Sequence, residues 1–139
     1  MIFIDTNVIS EPWKPAPSAQ ALAWIDAQAI ETLYLSAITI AELRFGIAAM
    51  PAGKRRTTLH ERLEGEVLPL FANRVLPFDL DASRAFADLM VRAQKSGKAI
   101  GTADGYIAAI AASRNLAVAT RDIGGFAAAG VAVINPWDQ

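Results

Sequence analysis

The chain predicts an α/β fold with a central parallel β-sheet flanked by helices. Three observations carry this. Short apolar runs recur along the chain, at Ile2-Phe3-Ile4, Leu33-Tyr34-Leu35 and Ala117-Val118-Ala119. The stretches between them show helical spacing of apolar residues. Those stretches are also long enough for a crossover, which parallel strands require and hairpins do not.

The elements follow in order. Ile2 to Asp5 is an apolar run ending in an acid and reads as a buried strand. Pro12, Pro15 and Pro17 then break the chain. Ser18 to Gln28 carries Ala19, Leu22, Ala23, Trp24 and Ile25 at helical spacing. Leu33 to Ser36 is a second strand. Ile38 to Met50 is a helix with Ile40, Leu43, Ile47 and Met50 on one stripe, closed by Pro51-Ala52-Gly53. Lys54 to Leu70 reads as one long charged helix, with Leu59, Leu63 and Val67 four residues apart. Arg74 to Phe78 is a strand. Asp81 to Ser96 is a helix that Asp81 caps and Gly97 ends. Thr102 to Asn115 is an Ala-rich helix, and Leu116 to Thr120 and Val131 to Ile134 are the last strands. No linker or repeat interrupts residues 1–139, so a single domain is expected.

Composition removes several classes of chemistry. The 139 residues are 53% hydrophobic and 19% charged, which suits a packed core and argues against disorder. There is no cysteine, so disulfides, thiolate metal sites and a cysteine nucleophile are excluded. The one histidine, His60, lies in a helical stretch and reads as a surface residue. No Gly-x-Ser-x-Gly elbow accompanies it. The first residues lack a basic leader and no run approaches a membrane span, so a cytoplasmic protein without membrane attachment is expected. The formal charge is −1. A protein that gripped nucleic acid by bulk charge would be basic. Any such contact here needs local positive charge or a metal ion.

Acidic residues stand where strands end and helices begin. Asp5 follows the first strand, and Asp122 follows Thr120-Arg121 after a later one. In parallel sheets ligands bind beyond the carboxyl ends of the strands. Each acid has a structural reading too: Asp5 caps the next turn, Thr39-x-x-Glu42 has capping-box spacing, and Asp104 favours a helix dipole. For Glu42 the residues alone favour the capping box. Asp104 has small neighbours, Gly101, Ala103 and Gly105, which permit close approach of a ligand. Four gathered carboxylates repel unless protonated or neutralised by a cation. Oxygen ligands alone favour Mg²⁺ or Mn²⁺. Such ions suit phosphodiester hydrolysis, with roughly 4 Å between paired ions where two are used.

The order Asp5-Thr6-Asn7, Thr39-x-x-Glu42, Asp104-Gly105-Tyr106-Ile107 and Thr120-Arg121-Asp122 resembles the PIN-domain ribonucleases, in particular VapC-type toxins. Asp5-Thr6-Asn7-Val8-Ile9-Ser10-Glu11-Pro12, Leu76-Pro77-Phe78-Asp79 and the ending Asn135-Pro136-Trp137 resemble the FitB-like branch. The resemblance spans essentially the whole chain. It implies that Asp5, Glu42, Asp104 and Asp122 are the catalytic and metal-binding residues, with Mg²⁺ or Mn²⁺. It implies that Thr6, Asn7, Thr39 and Thr120 orient them or the substrate. It also implies an RNA substrate, a homodimer, a small DNA-binding antitoxin and a higher assembly of the two on operator DNA.

Arg121 and Lys98 are candidates to steady phosphate charge, although a solvated surface charge is the simpler reading of each. Leu59, Leu63, Trp13, Trp24, Leu22 and Ile25 could face either a partner or the core. A second function class stays open: a PIN-like subunit with little catalysis that tunes the antitoxin's operator binding. A receiver domain and a haloacid-dehalogenase-type phosphatase fall away, because Asp5 lacks an adjacent acid and an Asp-x-Asp pair.

Overall fold

The computed structural model describes residues 1–139. β1 (Ile2–Ile4) leads into the short α1 (Thr6–Ile9) and a 3₁₀ turn at Glu11–Trp13. α2 (Ala19–Asp26) follows, capped by the Ser18 hydroxyl, which accepts from the Ala21 N–H at 3.2 Å. A 3₁₀ turn at Ile30–Thr32 precedes β2 (Leu33–Ser36) and α3 (Ala37–Ala48). α4 (Lys54–Arg62) runs through a π-helical turn at Leu63–Val67 into α5 (Leu68–Leu70). Then come β3 (Val75–Leu76), α6 (Leu80–Lys95), α7 (Thr102–Ser113), β4 (Ala117–Ala119), α8 (Ile123–Ala128), β5 (Val133–Ile134) and a 3₁₀ turn at Pro136–Asp138.

The five strands form one parallel sheet in the order β3-β2-β1-β4-β5. The chain winds outward from β1 in one direction, then restarts at β4 on its other side. The point where the winding reverses therefore lies between β1 and β4, where Ile4 pairs with Ala119. That is where a crevice opens at the carboxyl ends of such a sheet.

Successive side chains of a strand point to opposite faces, and two cores result. Phe3 and Val118 face a core with Leu89, Ile107, Ile110 and Phe126, roofed by α6, α7 and α8. Ile4, Leu33, Leu35 and Ala119 face the other, with Val8, Ile40, Leu43, Ile47, Leu59, Leu63 and Phe71. A sheet buried on both faces needs strands that are apolar throughout, as the short runs are. Leu59 and Leu63 thus belong to the core, and Trp13, Trp24 and Ile25 pack against it. Leu22 is half-buried on the same helix. No helix is long and apolar enough to cross a membrane.

Several local expectations give way to particular causes. The long helix from Lys54 is not uniform: the Leu68 N–H reaches back to the Leu63 carbonyl. Pro69 has no N–H for the carbonyl four residues earlier, and its ring crowds that carbonyl, which favours a widened turn before it. α6 is capped by Asp79, whose Oδ1 accepts from the Ala82 N–H at 2.9 Å, and not by Asp81. Asp81 lies two residues later, in the first turn, and pairs with exposed Arg84 at 3.4 Å. Gly97, at φ +75°, terminates that helix as expected. α8 was not anticipated, because Gly124 and Gly125 give it poor intrinsic propensity. Phe126, fully buried, anchors it to the core instead.

α7 is the central helix. Gly105, Ile107, Ala108, Ala109, Ile110 and Ala111 are all buried, so it is enclosed by its neighbours. Its small residues are what allow this. A Cβ on Gly105 would stand 2.9 Å from Met90 Sδ and 3.2 Å from a ring carbon of Phe86. The first turn of this fixed helix carries Asp104.

Phe126→Ala removes the one large side chain that holds α8. The expected cost is about 3–5 kcal/mol, read as a lower urea midpoint at unchanged slope. Retention of the wild-type midpoint would show that α8 is held by other contacts.

Candidate active site

β1 and β4 end side by side, and the backbone continues their pairing one step further: the Asp5 N–H donates to the Ala119 carbonyl at 3.0 Å. Asp5 is thereby locked at the switch point of the sheet. It is only 3% exposed, so its carboxylate must be hydrogen-bonded or neutral. Oδ1 accepts from the Thr6 N–H at 2.8 Å, the cap of α1. Oδ2 accepts from the Thr120 hydroxyl at 2.8 Å and the Asn7 amide at 3.3 Å. The structural reading of Asp5 as a cap and its reading as a site residue are therefore both met.

Thr120 is fully buried and serves two groups. Its hydroxyl donates to Asp5 and accepts from the Asp122 N–H at 3.0 Å. Asn7 works in parallel: its amide donates to Asp5, and its Oδ1 accepts from the Arg121 N–H at 3.2 Å. The segment 120–122 is thus bound to the end of β1 through side chains. Asp122 stands at the N-cap of α8, but its exposed side chain makes no capping hydrogen bond.

Glu42 departs from the capping-box expectation. The cap of α3 is Ser36, whose hydroxyl accepts from the Ile38 N–H at 2.9 Å. Glu42 lies beyond the first turn, and its Oε1 accepts from the Thr6 hydroxyl at 2.8 Å. Thr39 is buried, with its hydroxyl 3.1 Å from that of Thr6. The spacing that suggested a local cap actually places both side chains toward α1. A contact across 36 residues decides it.

Asp104 completes the group. Burial is the main cause that raises its pKa, followed by the charges of Asp5 and Asp122, a hydrogen bond with Asp122, and the charge of Glu42. The result is a carboxyl pushed up to about 7. Burial likewise raises Asp5; the Thr120 and Thr6 hydrogen bonds oppose it, while Glu42 and Asp122 reinforce it. Asp5 and Asp104 therefore both feel the charges of Glu42 and Asp122. None of them forms a salt bridge with lysine or arginine. No three carboxylate or imidazole groups stand together as a finished coordination cage. Hydrogen bonds link Asp5, Thr6, Asn7, Thr39, Glu42, Thr120 and the Asp122 backbone, and Asp104 is coupled to the other acids by charge. His60 is exposed and remote from this set. Trp137, marked in the sequence only as part of the C-terminal Asn135-Pro136-Trp137 motif, lies beside Arg121.

Thr120→Val keeps the volume and deletes both roles of the hydroxyl. The Asp122 N–H loses its partner and Asp5 loses a donor that favours its ionised form. The expected outcome is a loss of about 1–3 kcal/mol in stability and a further upward shift of the Asp5 carboxyl, measurable by NMR titration of side-chain carboxyl carbons. An unmoved Asp5 titration would exclude this hydrogen bond from its control.

Known proteins match this chain over nearly all of its length. A family model for the PIN domain covers residues 2–131. The VapC ribonuclease Y4jK of Sinorhizobium fredii is 70% identical over 138 residues, with 99% of both chains covered. Toxin FitB of Neisseria gonorrhoeae is 55% identical over 137 residues, again with 99% of both covered. In the structure of FitAB bound to an IR36 DNA fragment, one chain superposes with a TM-score of 0.95 at 52% identity, covering 99% of this chain and 96% of that one. PIN-domain ribonucleases in general depend on a divalent metal. The chain belongs to the PIN-domain family, in the group of the VapC and FitB toxins.

Proposed function

We propose that this chain is the toxin of a type II toxin–antitoxin pair, a ribonuclease that hydrolyses RNA phosphodiester bonds with Mg²⁺ or Mn²⁺ at Asp5, Glu42, Asp104 and Asp122. The observation that carries the reading is the uncompensated acidity of one crevice. Burial and the charges of their acidic neighbours raise the proton affinity of Asp5 and Asp104, and no basic side chain pairs with any of the four carboxylates. Only a proton or an external cation relieves such a site. The available donors are oxygens alone, which fit a hard divalent ion. Mg²⁺ keeps several waters and takes one or two carboxylates directly, so it needs no complete protein cage.

Asp5, Glu42, Asp104 and Asp122 would hold a divalent ion, which would supply an acidified water and charge neutralisation at the scissile phosphate. The chain's own residues do the rest. Asp5, fixed by Thr120, Asn7 and Thr6, is the rigid carboxylate of the set. Thr6 and Thr39 hold Glu42 toward it. Asp104, its carboxyl pushed up to about 7 by burial and the neighbouring acids, is suited to take up the proton lost by the attacking water.

The partner in this reading is a small DNA-binding antitoxin, and the pair assembles on operator DNA, as the FitAB complex with a DNA fragment suggests. The protein is a homodimer of single-domain chains, residues 1–139, working in the cytoplasm.

Two experiments test the site. In the first, Asp5→Asn and Asp104→Asn each lower Mg²⁺-dependent RNA cleavage on the order of a hundredfold. Variants as active as the wild type would place the reaction elsewhere. A wild type with no cleavage above the variants would leave the non-catalytic, operator-tuning subunit as the better reading. The second uses pH. Asp5 and Asp104 bind protons more tightly folded than unfolded. In metal-free protein their stabilising effect is complete below the ordinary carboxylate range, about pH 4, and is lost as pH rises to about 7, the value of Asp104. The Tm of metal-free protein should therefore fall over that window, and Mg²⁺ should raise Tm more at the alkaline end. Asp104→Asn should flatten both trends; a Mg²⁺ effect independent of pH would rule out binding at these acids.

A further inference from the structure

The acidic crevice raises a problem for its substrate. The net charge is −1, so no general positive field attracts RNA. The obvious basic run is largely occupied: Arg55 donates to the Trp13 carbonyl at 3.0 Å and Arg56 to the Met50 carbonyl at 3.3 Å. Arg44 is held bidentate by Glu64 at 2.8 and 3.0 Å.

Arg121 differs. It adjoins Asp122 and is exposed, and one would expect its guanidinium to pair with the acids around it. It pairs with none. It offsets none of the upward shift of Asp5 or Asp104. Its Cζ stands instead 5.2 Å from the ring centroid of Trp137. An aromatic face attracts a guanidinium without neutralising it.

The ring is itself fixed. The Thr120 N–H donates to the Ile134 carbonyl at 2.9 Å, which ties β5 to the end of β4. Asn135 then turns the chain, its Oδ1 accepting from the Trp137 N–H at 3.0 Å, and Pro136 is buried. Trp137 packs against the core beneath β1. Its buried indole N–H has no partner, so packing and not a hydrogen bond sets the ring plane. At the other end, Asn7 holds the Arg121 backbone at 3.2 Å. Main chain and side chain of Arg121 are thus both positioned, at the rim of the crevice.

We propose that Arg121, held off the acids by the ring of Trp137, is the binding residue for an RNA phosphate next to the scissile one, and that Trp137 is its positioning residue. This rests on the ribonuclease reading above. The guanidinium matches a phosphate in two parallel hydrogen bonds. The Asn135-Pro136-Trp137 ending acquires a role by it: it keeps a cation beside four carboxylates from collapsing onto them.

The test uses the full chain and a fluorescein-labelled single-stranded RNA. Binding is read by anisotropy, with turnover stopped by Asp104→Asn, and cleavage is followed separately in the otherwise wild-type chain. Arg121→Gln weakens RNA binding about tenfold. It also reduces the salt slope of log K by about 0.7, the loss of one phosphate contact on a single strand. In cleavage, KM rises by about the same factor while kcat falls less than about threefold. Arg121→Lys recovers part of the affinity. Trp137→Leu weakens binding about two- to fivefold, Trp137→Phe less, and neither adds to the effect of Arg121→Gln. Wild-type affinity and salt slope in Arg121→Gln overturn the proposal, including the case where only antitoxin binding suffers. A Trp137→Leu defect of equal size with and without Arg121 overturns the positioning role. A wild type that binds RNA through Arg121 yet never cuts it upholds the contact of Arg121 with an RNA phosphate but removes the nuclease reading, and with it the scissile phosphate beside that contact.

Discussion

A carboxylate buried at the junction of two strands governs this structure. Asp5 is almost fully withdrawn from water, and a charge there is tolerable only with donors around it. The donors come from both sides of the sheet's reversal point: Thr6 and Asn7 after β1, and Thr120 after β4. The same contacts that satisfy Asp5 join the two strand ends. They also aim Asp122, through the Thr120 hydroxyl, and fix the Arg121 backbone, through Asn7. Packing, charge and site geometry share one set of atoms.

The rest of the fold serves to hold acids against their mutual repulsion. α7 is buried at Gly105 and from Ile107 to Ala111, so it has little room to retreat when Asp104 is crowded by its neighbours. α3 is packed by Ile40, Leu43 and Ile47, which leaves Glu42 on the side that meets Thr6. Rigid elements thus bring together groups that would separate if free. The electrostatic cost appears as raised proton affinity at Asp5 and Asp104. A cation or a proton recovers it, and that coupling links the stability of the molecule to its chemistry.

An acidic crevice in a slightly acidic protein makes substrate capture a local matter. Cations beside the crevice are useful only while they remain unpaired. Aromatic contact is a physical means to that end, because it orients a guanidinium without cancelling its charge. The C-terminal turn, bound to β4 through β5, supplies the aromatic face from the same framework that positions the acids.

The sequence by itself determined the layers and most of the elements. Alternating apolar runs and helical stripes are local signals, and β2 falls at Leu33–Ser36 as read. The placement of Asp5 and Asp122 at the same end of the sheet followed from parallel strands alone, whereas only the strand order made β1 and β4 neighbours. The assignment of Glu42 did not: its spacing from Thr39 spoke for a local cap, and only the family resemblance placed it with the acids. Tertiary structure decided that Thr6, 36 residues away, takes its carboxylate. It likewise decided α8, whose glycines oppose a helix that burial of Phe126 enforces, and the cap of α6 at Asp79 instead of Asp81. The meeting of Arg121 with Trp137 left no trace in periodicity or spacing. The division has one physical cause. Propensity and pattern act over a turn or a strand, whereas a site is made by contacts between residues that only the folded sheet brings together.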